Sequence, residues 1–338
     1  MPILVCGSEG EWSLFSNSLS AVGADTKRRG SVFMTFGNQM FKAWTGTNDI
    51  WVHARFAGTD QDSNTFAGKP FLRIADAAGQ DMVQLNPSNI EFVSFWNLQI
   101  QTATSSGGGF ATNPETFSAQ AQEFVDWDIR IRISTGSNPD DTMTVDVYRN
   151  GQFRFSNVTI DATGWGLPSQ IRLSEKDLSV SRNHEEMWYQ DIVVTDSLPT
   201  VGMELAVLVP SAVGVHSDFT NDYTNIDDDG YDPNTVISTT TVGDKESWIF
   251  ATPTFTLGDK VIYGIVLDTV AQTDIAMTIA DFQMFLRINA TEYPAASTLG
   301  ANEINPDSYV TVFQLNPDTT QPWVEADLNA LEAGVEST

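Results

Sequence analysis

A short strand-turn-strand segment is the feature of this sequence that most limits its possible folds. In residues 144–149, valines alternate with polar or aromatic side chains, which is the period of a half-buried β-strand. Asn150 and Gly151 follow and supply the two positive-φ residues that a type I′ hairpin turn requires. Phe153 and Phe155 then resume the alternation. The segment therefore predicts a β-hairpin.

Alternating or β-rich segments of this kind make up most of the chain, separated by clusters of Gly, Asn, Asp, Ser and Pro. In residues 126–133, Trp127 and three isoleucines share one face, whereas one aspartate and two arginines share the other, which is typical of an antiparallel sheet. Many short strands without helical periodicity between them predict an all-β antiparallel sandwich. The other predicted strands are residues 31–36, 50–56, 71–75, 91–96, 170–173, 204–209, 236–238, 248–250, 261–267, 282–288 and 309–313.

A second landmark, residues 187–196, predicts the strand that closes this sandwich. Its apolar run is preceded by Trp188 and Asp191 and is followed by Thr, Asp and Ser. A turn-rich segment at 197–202 comes next. The sequence therefore predicts two domains, a sandwich over residues 1–198 and a second β-rich domain over residues 199–338.

The end of the chain has a different pattern. An apolar spacing of i, i+4 and i+7 predicts a short amphipathic helix over residues 322–333, docked by Trp323. Proline suits the first position of a helix and glycine the position after its end. The residues in question are Pro322, Val324, Leu328, Leu331 and Gly334.

Charge and cysteine content exclude several classes of function. The chain has 17 basic and 44 acidic residues, a formal charge of −27 that repels nucleic acid and anionic membranes. Its one cysteine, Cys6, excludes an intrachain disulfide and a cysteine zinc site. No segment is long and apolar enough for a membrane span, and the first residues lack the basic region of a signal peptide. We therefore expect synthesis and folding in a cytoplasm.

Two resemblances refine these expectations. The hairpin at 144–155 with the closing strand at 187–196 resembles the concanavalin/laminin-G-like jelly roll. Residues 315–335 are similar to the signature NPxTgxxWtxadlnaleaGv of structural proteins of tailed bacteriophages, and residues 204–236 are similar to a stretch that precedes it in that family. The chain departs from the family pattern at Glu204 and Phe219, where a basic residue and a tryptophan are usual.

The phage resemblance implies a non-catalytic virion protein, made in the host cytoplasm, that forms part of a tail-associated appendage or fibre. A capsid-surface decoration protein is one alternative, and a carbohydrate-binding adhesin module is another. The partners implied are other virion proteins, further copies of the chain in a symmetric oligomer, with a trimer as the first guess, and a host surface glycan.

An acidic segment near the middle of the chain offers the best metal site. Asn225, Asp227, Asp229 and Asp232, with Gly230 among them, imitate the start of a calcium loop. The twelfth position is Val236, however, where a calcium loop has a bidentate glutamate. A solvated acidic loop without a cofactor is the simpler interpretation, and calcium binding stays as the alternative.

The sequence contains no recognisable catalytic arrangement. The E-x-D-x-x-E pattern of sandwich glucanases and the G-x-S-x-G elbow of hydrolases are both absent, and no histidine pair has metal-ligand spacing. Tryptophans in the predicted strands, including Trp44, Trp51, Trp96 and Trp165, could stack on sugars but are more often core residues. The sequence therefore predicts that the chain is not an enzyme.

Overall fold

The computed structural model describes two compact units, divided after residue 204. The sequence placed the boundary between residues 198 and 199. The segment that follows residue 196 is tied to the first unit, because the hydroxyl of Thr200 donates a hydrogen bond to Asp128. The described residues are 3–7, 13–14, 22–24, 32–35, 40–58, 72–88, 95–103, 110–120, 124–134, 142–160, 164–173, 186–203, 205–206, 208–226, 236–251, 261–271, 281–296, 299–300, 307–329 and 331–338.

The first unit consists of antiparallel strands in two sheets. Its strands are β1 (Ile3–Gly7), β2 (Ser13–Leu14), β3 (Val22–Ala24), β4 (Val32–Thr35), β5 (Met40–Ala43), β6 (Asp49–Gly58), β7 (Leu72–Asp76), β8 (Asp81–Ser88), β9 (Phe95–Ala103), β10 (Phe110–Gln120), β11 (Val125–Ser134), β12 (Thr142–Arg149), β13 (Gln152–Ile160), β14 (Pro168–Leu173) and β15 (Glu186–Asp196).

The two sheets of the first unit enclose one hydrophobic core. One sheet has the order β13-β12-β11-β6-β15-β4-β3, with β1 also pairing β15, and the other has the order β10-β9-β8-β7-β14-β5-β2. Trp127, Ile129 and Ile131 of β11 lie in this core with Leu72 and Ile74 of β7, all of them buried. The predicted all-β antiparallel sandwich of the jelly-roll type is therefore confirmed, and the face of β11 that carries Trp127 is the core face.

The hairpin between β12 and β13 has the predicted turn, since Asn150 and Gly151 have φ values of 49° and 74°. Asn150 also holds the turn against β11, because its side-chain Oδ1 accepts from the backbone N of Asp126 at 3.1 Å. A β-bulge follows, however: Tyr148 pairs with Phe153, and Val147 pairs with Phe155. Alternation would place both phenylalanines on one face, and the bulge instead places them on opposite faces.

β15 is also irregular. Asp191 has a φ of 52°, and the pairing of β15 with β6 shifts between Gln190 and Val193. Trp188 lies before this bulge, opposite Ala57 of β6. The closing strand of the sandwich is therefore present where the sequence placed it, with a bulge that the apolar pattern did not reveal.

The second unit is also mainly β-structure. Its strands are β16 (Pro210–Ser217), β17 (Lys245–Phe250), β18 (Ile265–Ala271), β19 (Asp281–Ile288), β20 (Thr291–Pro294), β21 (Leu299–Gly300), β22 (Asp307–Phe313) and β23 (Glu332–Ser337), with a 3-10 helix at Tyr223–Asn225 and a helix α1 at Glu325–Leu328. One sheet has the order β16-β17-β23-β19-β20, with β21 pairing β19, and β18 pairs β22 separately.

The predicted helix over residues 322–333 is wrong in its extent. Helix α1 is one turn long, and the segment from Glu332 onward is strand β23, in the middle of the larger sheet. The apolar residues at 331, 333 and 335 alternate with polar ones or glycine, so a period of two fits this end of the chain. Trp323, Leu328 and Leu331 are buried in the core of the unit, as predicted, whereas Val324, the first residue of the predicted apolar spacing, is exposed.

Gly334 has a different role from the helix-ending position predicted for it. It lies in β23 between Ser247 of β17 and Phe285 of β19. A Cβ atom at this position would collide with the Glu246 carbonyl oxygen and with the Phe285 ring. Glycine is therefore required here by close packing. The strand predicted at 204–209 is likewise displaced, because the first strand of the unit starts at Pro210.

Candidate functional site

The best candidate surface is the side of the β12-β11-β6 sheet that is turned away from the core of the first unit. We call it the outer face. Because side chains alternate along a strand, residues between the core positions of β6, β11 and β12 share this side. They are Asp49, Trp51, His53, Arg55, Asp126, Asp128, Arg130, Arg132, Asp146 and Tyr148, with Phe153 and Ser156 of β13.

Ion pairs cover much of the outer face. The Arg130 guanidinium binds Asp49 through two hydrogen bonds, Nε to Oδ1 at 2.9 Å and Nη2 to Oδ2 at 2.6 Å. This hydrogen bonding raises the pKa of Arg130 above its ordinary value. Arg132 Nη2 donates to Asp146 Oδ2 at 2.7 Å, and the hydroxyl of Ser156 donates to the other oxygen of Asp146 at 2.6 Å. Both of these arginines therefore carry a carboxylate partner.

Three aromatic rings form a row across this charged surface, from β6 to the hairpin. The ring centroids of Trp51 and Tyr148 are 5.5 Å apart, and those of Tyr148 and Phe153 are 5.4 Å apart in an edge-to-face arrangement. The Arg130 guanidinium lies 5.3 Å from the Trp51 ring centroid, within cation-π range. Exposure increases along the row, from 4% for Trp51 to 56% for Phe153. The row therefore ends in an exposed ring.

A buried hydrogen-bonded group lies on the same side of the sheet. His53 Nδ1 is 2.8 Å from Asp128 Oδ1, which also accepts from the hydroxyl of Thr200 at 2.9 Å. Asp128 and Thr200 are 0% exposed, and His53 is 2% exposed. A histidine and an aspartate in contact are a common acid–base pair, but these are buried and cannot reach a ligand in this arrangement. Their contact with Thr200 fastens the segment after β15 to the sheet.

The second unit also has a charged sheet face, which we call the polar face. It lies on the side of β17, β23 and β19 that is turned away from that unit's core. Glu332 is buried there with both oxygens occupied: Oε1 accepts from the Ser247 hydroxyl at 2.6 Å and the Val215 backbone N at 2.7 Å, and Oε2 accepts from Arg287 at 2.7 Å. Burial raises the pKa of Glu332, but these hydrogen bonds outweigh it and hold the pKa below its ordinary value.

A second group of charges extends the polar face. Lys245 Nζ lies 2.6 Å from Glu292 Oε2 and 3.2 Å from Glu336 Oε2, and His216 Nε2 lies 2.5 Å from Glu292 Oε1. The hydrogen bond from Lys245 lowers the pKa of Glu292, and the same bond raises the pKa of Lys245. Opposite charges therefore stabilise one another across four strands.

Glu246 lies on the core side of the same sheet and differs from Glu332, because one of its two oxygens lacks a hydrogen-bond partner among the described residues. It is 1% exposed, and one of its oxygens, Oε2, accepts from the Phe219 backbone N at 3.1 Å. Its other oxygen, Oε1, has no hydrogen-bond partner among the described residues. Burial raises the pKa of Glu246, with nearby acidic groups adding to the effect.

The metal prediction is not resolved by the structure. Asn225 ends the 3-10 helix, whereas Asp227, Asp229 and Asp232 lie outside the described residues. Among the residues that are described, no group of three or more His, Cys, Asp or Glu side chains could hold a metal ion. Calcium binding therefore stays a prediction.

Among the described residues, no helix is long and apolar enough to cross a membrane.

Sequence reasoning missed the aromatic row. It favoured a core position for Trp51 over sugar stacking, whereas Trp51 is buried on the outer face, in contact with Arg130 and Tyr148. Trp44 and Trp165 do pack against the core, as expected. The alternation of residues 126–133 correctly separated the two faces of β11. The bulge that turns Phe153 outward leaves no clear signal in the sequence.

Comparison with known proteins gives matches in structure only. No family model and no curated protein match the sequence. An alginate lyase, Aly36B, has 11% identity and a TM-score of 0.41, covering 56% of this chain and 98% of its own. The endo-beta-1,4-glucuronan lyase of Trichoderma reesei has 11% identity and a TM-score of 0.36, covering 56% and 89%. The receptor-binding domain of a botulinum neurotoxin (mosaic serotype C/D) has 9% identity and a TM-score of 0.37, covering 96% and 91%.

These matches correct one expectation from the sequence. The chain was predicted not to be an enzyme, because its sequence contains no recognisable catalytic arrangement. That prediction is wrong as it stands, because several of the solved structures with a similar fold are polysaccharide lyases. At these identities the matches show the fold alone, so they assign no reaction or substrate to this chain.

Proposed function

We propose that this chain is a structural protein of a tailed-bacteriophage virion, a component of a tail-associated appendage or fibre. The observation that carries the proposal is the phage-like segment at residues 315–335. Its place in the fold supports the proposal, because the segment supplies both the central strand of the second unit and part of that unit's core.

The individual residues of this segment have structural roles. Asn316 is buried, its backbone N donates to the Gln321 carbonyl at 2.9 Å, and its side-chain oxygen accepts from the Asp318 backbone N. Trp323 is 2% exposed and donates through Nε1 to the Phe313 carbonyl at 2.8 Å. The residues of the NP…W…LEAGV pattern therefore stabilise the fold of one compact unit.

The chain acts as a homo-oligomer in this proposal, with three copies as the working number. Support comes from β16, which is the last strand of its sheet in the described part of the chain. Val213 and Val215 of this strand are 37% and 57% exposed, and an exposed apolar edge is a surface through which chains associate. The acidic charge of the chain opposes association of its copies, so the association should weaken at low ionic strength, where the repulsion is less screened. Analytical ultracentrifugation across a salt series measures this.

The proposal is tested by peptide mass mapping of purified phage particles from a host that carries this sequence. Peptides from both units should remain with the particles through density-gradient purification, in a fixed ratio to the major virion proteins. A capsid-surface protein, the alternative location, would stay with tail-free heads, whereas an appendage would separate with tails. Absence of the chain from intact particles would overturn the proposal in both forms.

A carbohydrate-binding role is the second candidate. The observation that favours it is the row of aromatic rings on the outer face, which ends in the exposed ring of Phe153. The two candidates are compatible, since a virion appendage can carry a surface for binding a host glycan.

A further inference from the structure

We propose that the aromatic row of the outer face is a glycan-binding site, in which Tyr148 and Phe153 stack on the sugar rings of an uncharged polysaccharide. The inference rests on the proposed function only for its biological setting, a virion that contacts a cell surface. Binding by the purified chain is a property of the first unit and can be measured without any particle.

The β-bulge at Arg154 is the first argument. Without it, Phe153 would be on the same face as Phe155, which packs against the core. The extra residue turns the Phe153 ring to the other side, where it contacts Tyr148. Bulges often redirect a side chain next to a functional site. Here the bulge brings a large apolar ring to the surface, which folding alone does not require.

The geometry of the rings is the second argument. Tyr148 is held between Trp51 on one side and Phe153 on the other, with both centroid distances near 5.5 Å. Such packing restricts the rotamers of Tyr148, so little conformational entropy is lost when a ligand binds. Sugar rings have one largely apolar face of C–H groups, and aromatic rings with a polar group at one end suit a ligand that is apolar on one side and hydroxylated at its edge.

Polar groups around the rings provide the third argument. Asp49, Asp146 and Ser156 lie on the same face. Arg130 orients the Asp49 side chain, Arg132 orients that of Asp146, and the Ser156 hydroxyl donates to Asp146. The side chains of the Arg130–Asp49 pair are 28% and 23% exposed, and the Arg132 side chain is 42% exposed. Guanidinium and carboxylate groups therefore remain available to hydroxyl groups at the edge of a stacked sugar.

Charge argues for an uncharged glycan over other ligands. Arg130 and Arg132, two arginines of the outer face, are each paired with an aspartate, so the carboxylate of an acidic sugar would have to compete with Asp49 or Asp146 for them. The chain's charge of −27 adds a long-range repulsion of anionic polymers, nucleic acid included. An uncharged polysaccharide meets neither obstacle.

Affinity electrophoresis of the full chain tests the proposal, in native gels containing dextran, barley β-glucan, galactomannan or, as the anionic comparison, alginate. At least one neutral polysaccharide should retard the wild-type chain. Phe153→Ala should weaken that binding about tenfold, since stacked aromatic contacts are each worth about that factor. Phe153→Tyr should restore it. The matched control is Val242→Ala, which shortens a similarly exposed apolar side chain in the second unit and should leave the binding unchanged.

The possible results separate this proposal from the virion proposal. Thermal unfolding should be unchanged in Phe153→Ala, because the ring is exposed, so lost binding would report the site and not the fold. No retardation by any neutral polysaccharide, retardation by alginate alone, or wild-type binding by both Phe153→Ala and Tyr148→Ala would each overturn the glycan site. None of these results would affect the presence of the chain in particles.

Discussion

The outer face of the first unit and the polar face of the second unit are both charged sides of antiparallel sheets, but their charges do different work. On the polar face, Glu332 is buried and has a partner for each oxygen. The sequence from residue 205 onward has three basic residues, and two of them, Lys245 and Arg287, are used on this face. On the outer face, the ion pairs are partly exposed and surround aromatic rings.

This difference indicates which face is available for binding. On the polar face, Arg287 neutralises the buried carboxylate of Glu332, and this pair stabilises the fold because removing Arg287 would leave a buried charge without its cation. Exposed ion pairs contribute little to stability, and an exposed phenylalanine contributes little as well. We infer that the polar face is structural and that the outer face is the candidate for contact with other molecules.

The largest expected effect distinguishes a buried aromatic residue from an exposed one. Trp323→Ala should destabilise the second unit by about 3–5 kcal/mol, because it leaves a cavity and removes the hydrogen bond to Phe313. Phe153→Ala should change the stability of the first unit by less than about 0.5 kcal/mol. Urea denaturation followed by tryptophan fluorescence and circular dichroism measures both. A Trp323→Ala protein with the wild-type midpoint would contradict the docking of this side chain.

The next prediction compares an arginine of the polar face, Arg287, with an arginine of the outer face, Arg132. Arg287→Met should lower the free energy of unfolding by about 2–3 kcal/mol. This is less than for a fully buried ion pair, because Arg287 is partly exposed. Arg132→Met on the outer face should cost less than about 1 kcal/mol, as for other exposed pairs. Equal costs for the two variants, measured by chemical denaturation, would remove the distinction between the faces.

A smaller effect concerns the end of the first unit. Thr200→Val should lower the free energy of unfolding by about 1.5–2 kcal/mol, because the buried Asp128 side chain loses a hydrogen-bond donor. For the same reason, a fragment of residues 1–204 should be more stable than one of residues 1–198, and both should give β-type circular dichroism spectra. If the two fragments have the same denaturation midpoint, Thr200 is not part of the unit's fold.

The dependence of stability on pH should also be strongest in the second unit. The pKa values of Glu292 and Glu332 lie below the ordinary value of 4.5, so the stability they contribute is complete above that pH and is lost as the pH falls through their lowered values. Glu246, whose pKa is raised by burial, acts in the opposite direction. The denaturation midpoint of the second unit should decrease as the pH is lowered from about 5 to 3. Glu292→Gln should make this decrease of the midpoint with pH less steep. An unchanged slope in that variant would contradict the role given to Lys245.

The sequence predicted the fold well where one pattern dominated. Alternation in residues 126–133 and the Asn150-Gly151 turn were enough for the sandwich and its hairpin. At the end of the chain, Leu328 and Leu331 fit both a helical period and burial, and pairing of β23 with strands distant in sequence decided the outcome. The boundary and the outer face were harder, because Thr200 and Phe153 owe their positions to a long-range hydrogen bond and to a bulge.

Hydroxyl-radical footprinting of the chain within purified phage particles tests both proposals in one experiment, the presence of the chain in particles and the availability of its aromatic row. We expect the chain to be present, and Tyr148 and Phe153 to be oxidised in particles as readily as in the free chain. We also expect the neutral polysaccharide found to bind the free chain to protect both rings. Absence of the chain from particles, or Tyr148 and Phe153 already protected there without polysaccharide, would contradict these expectations.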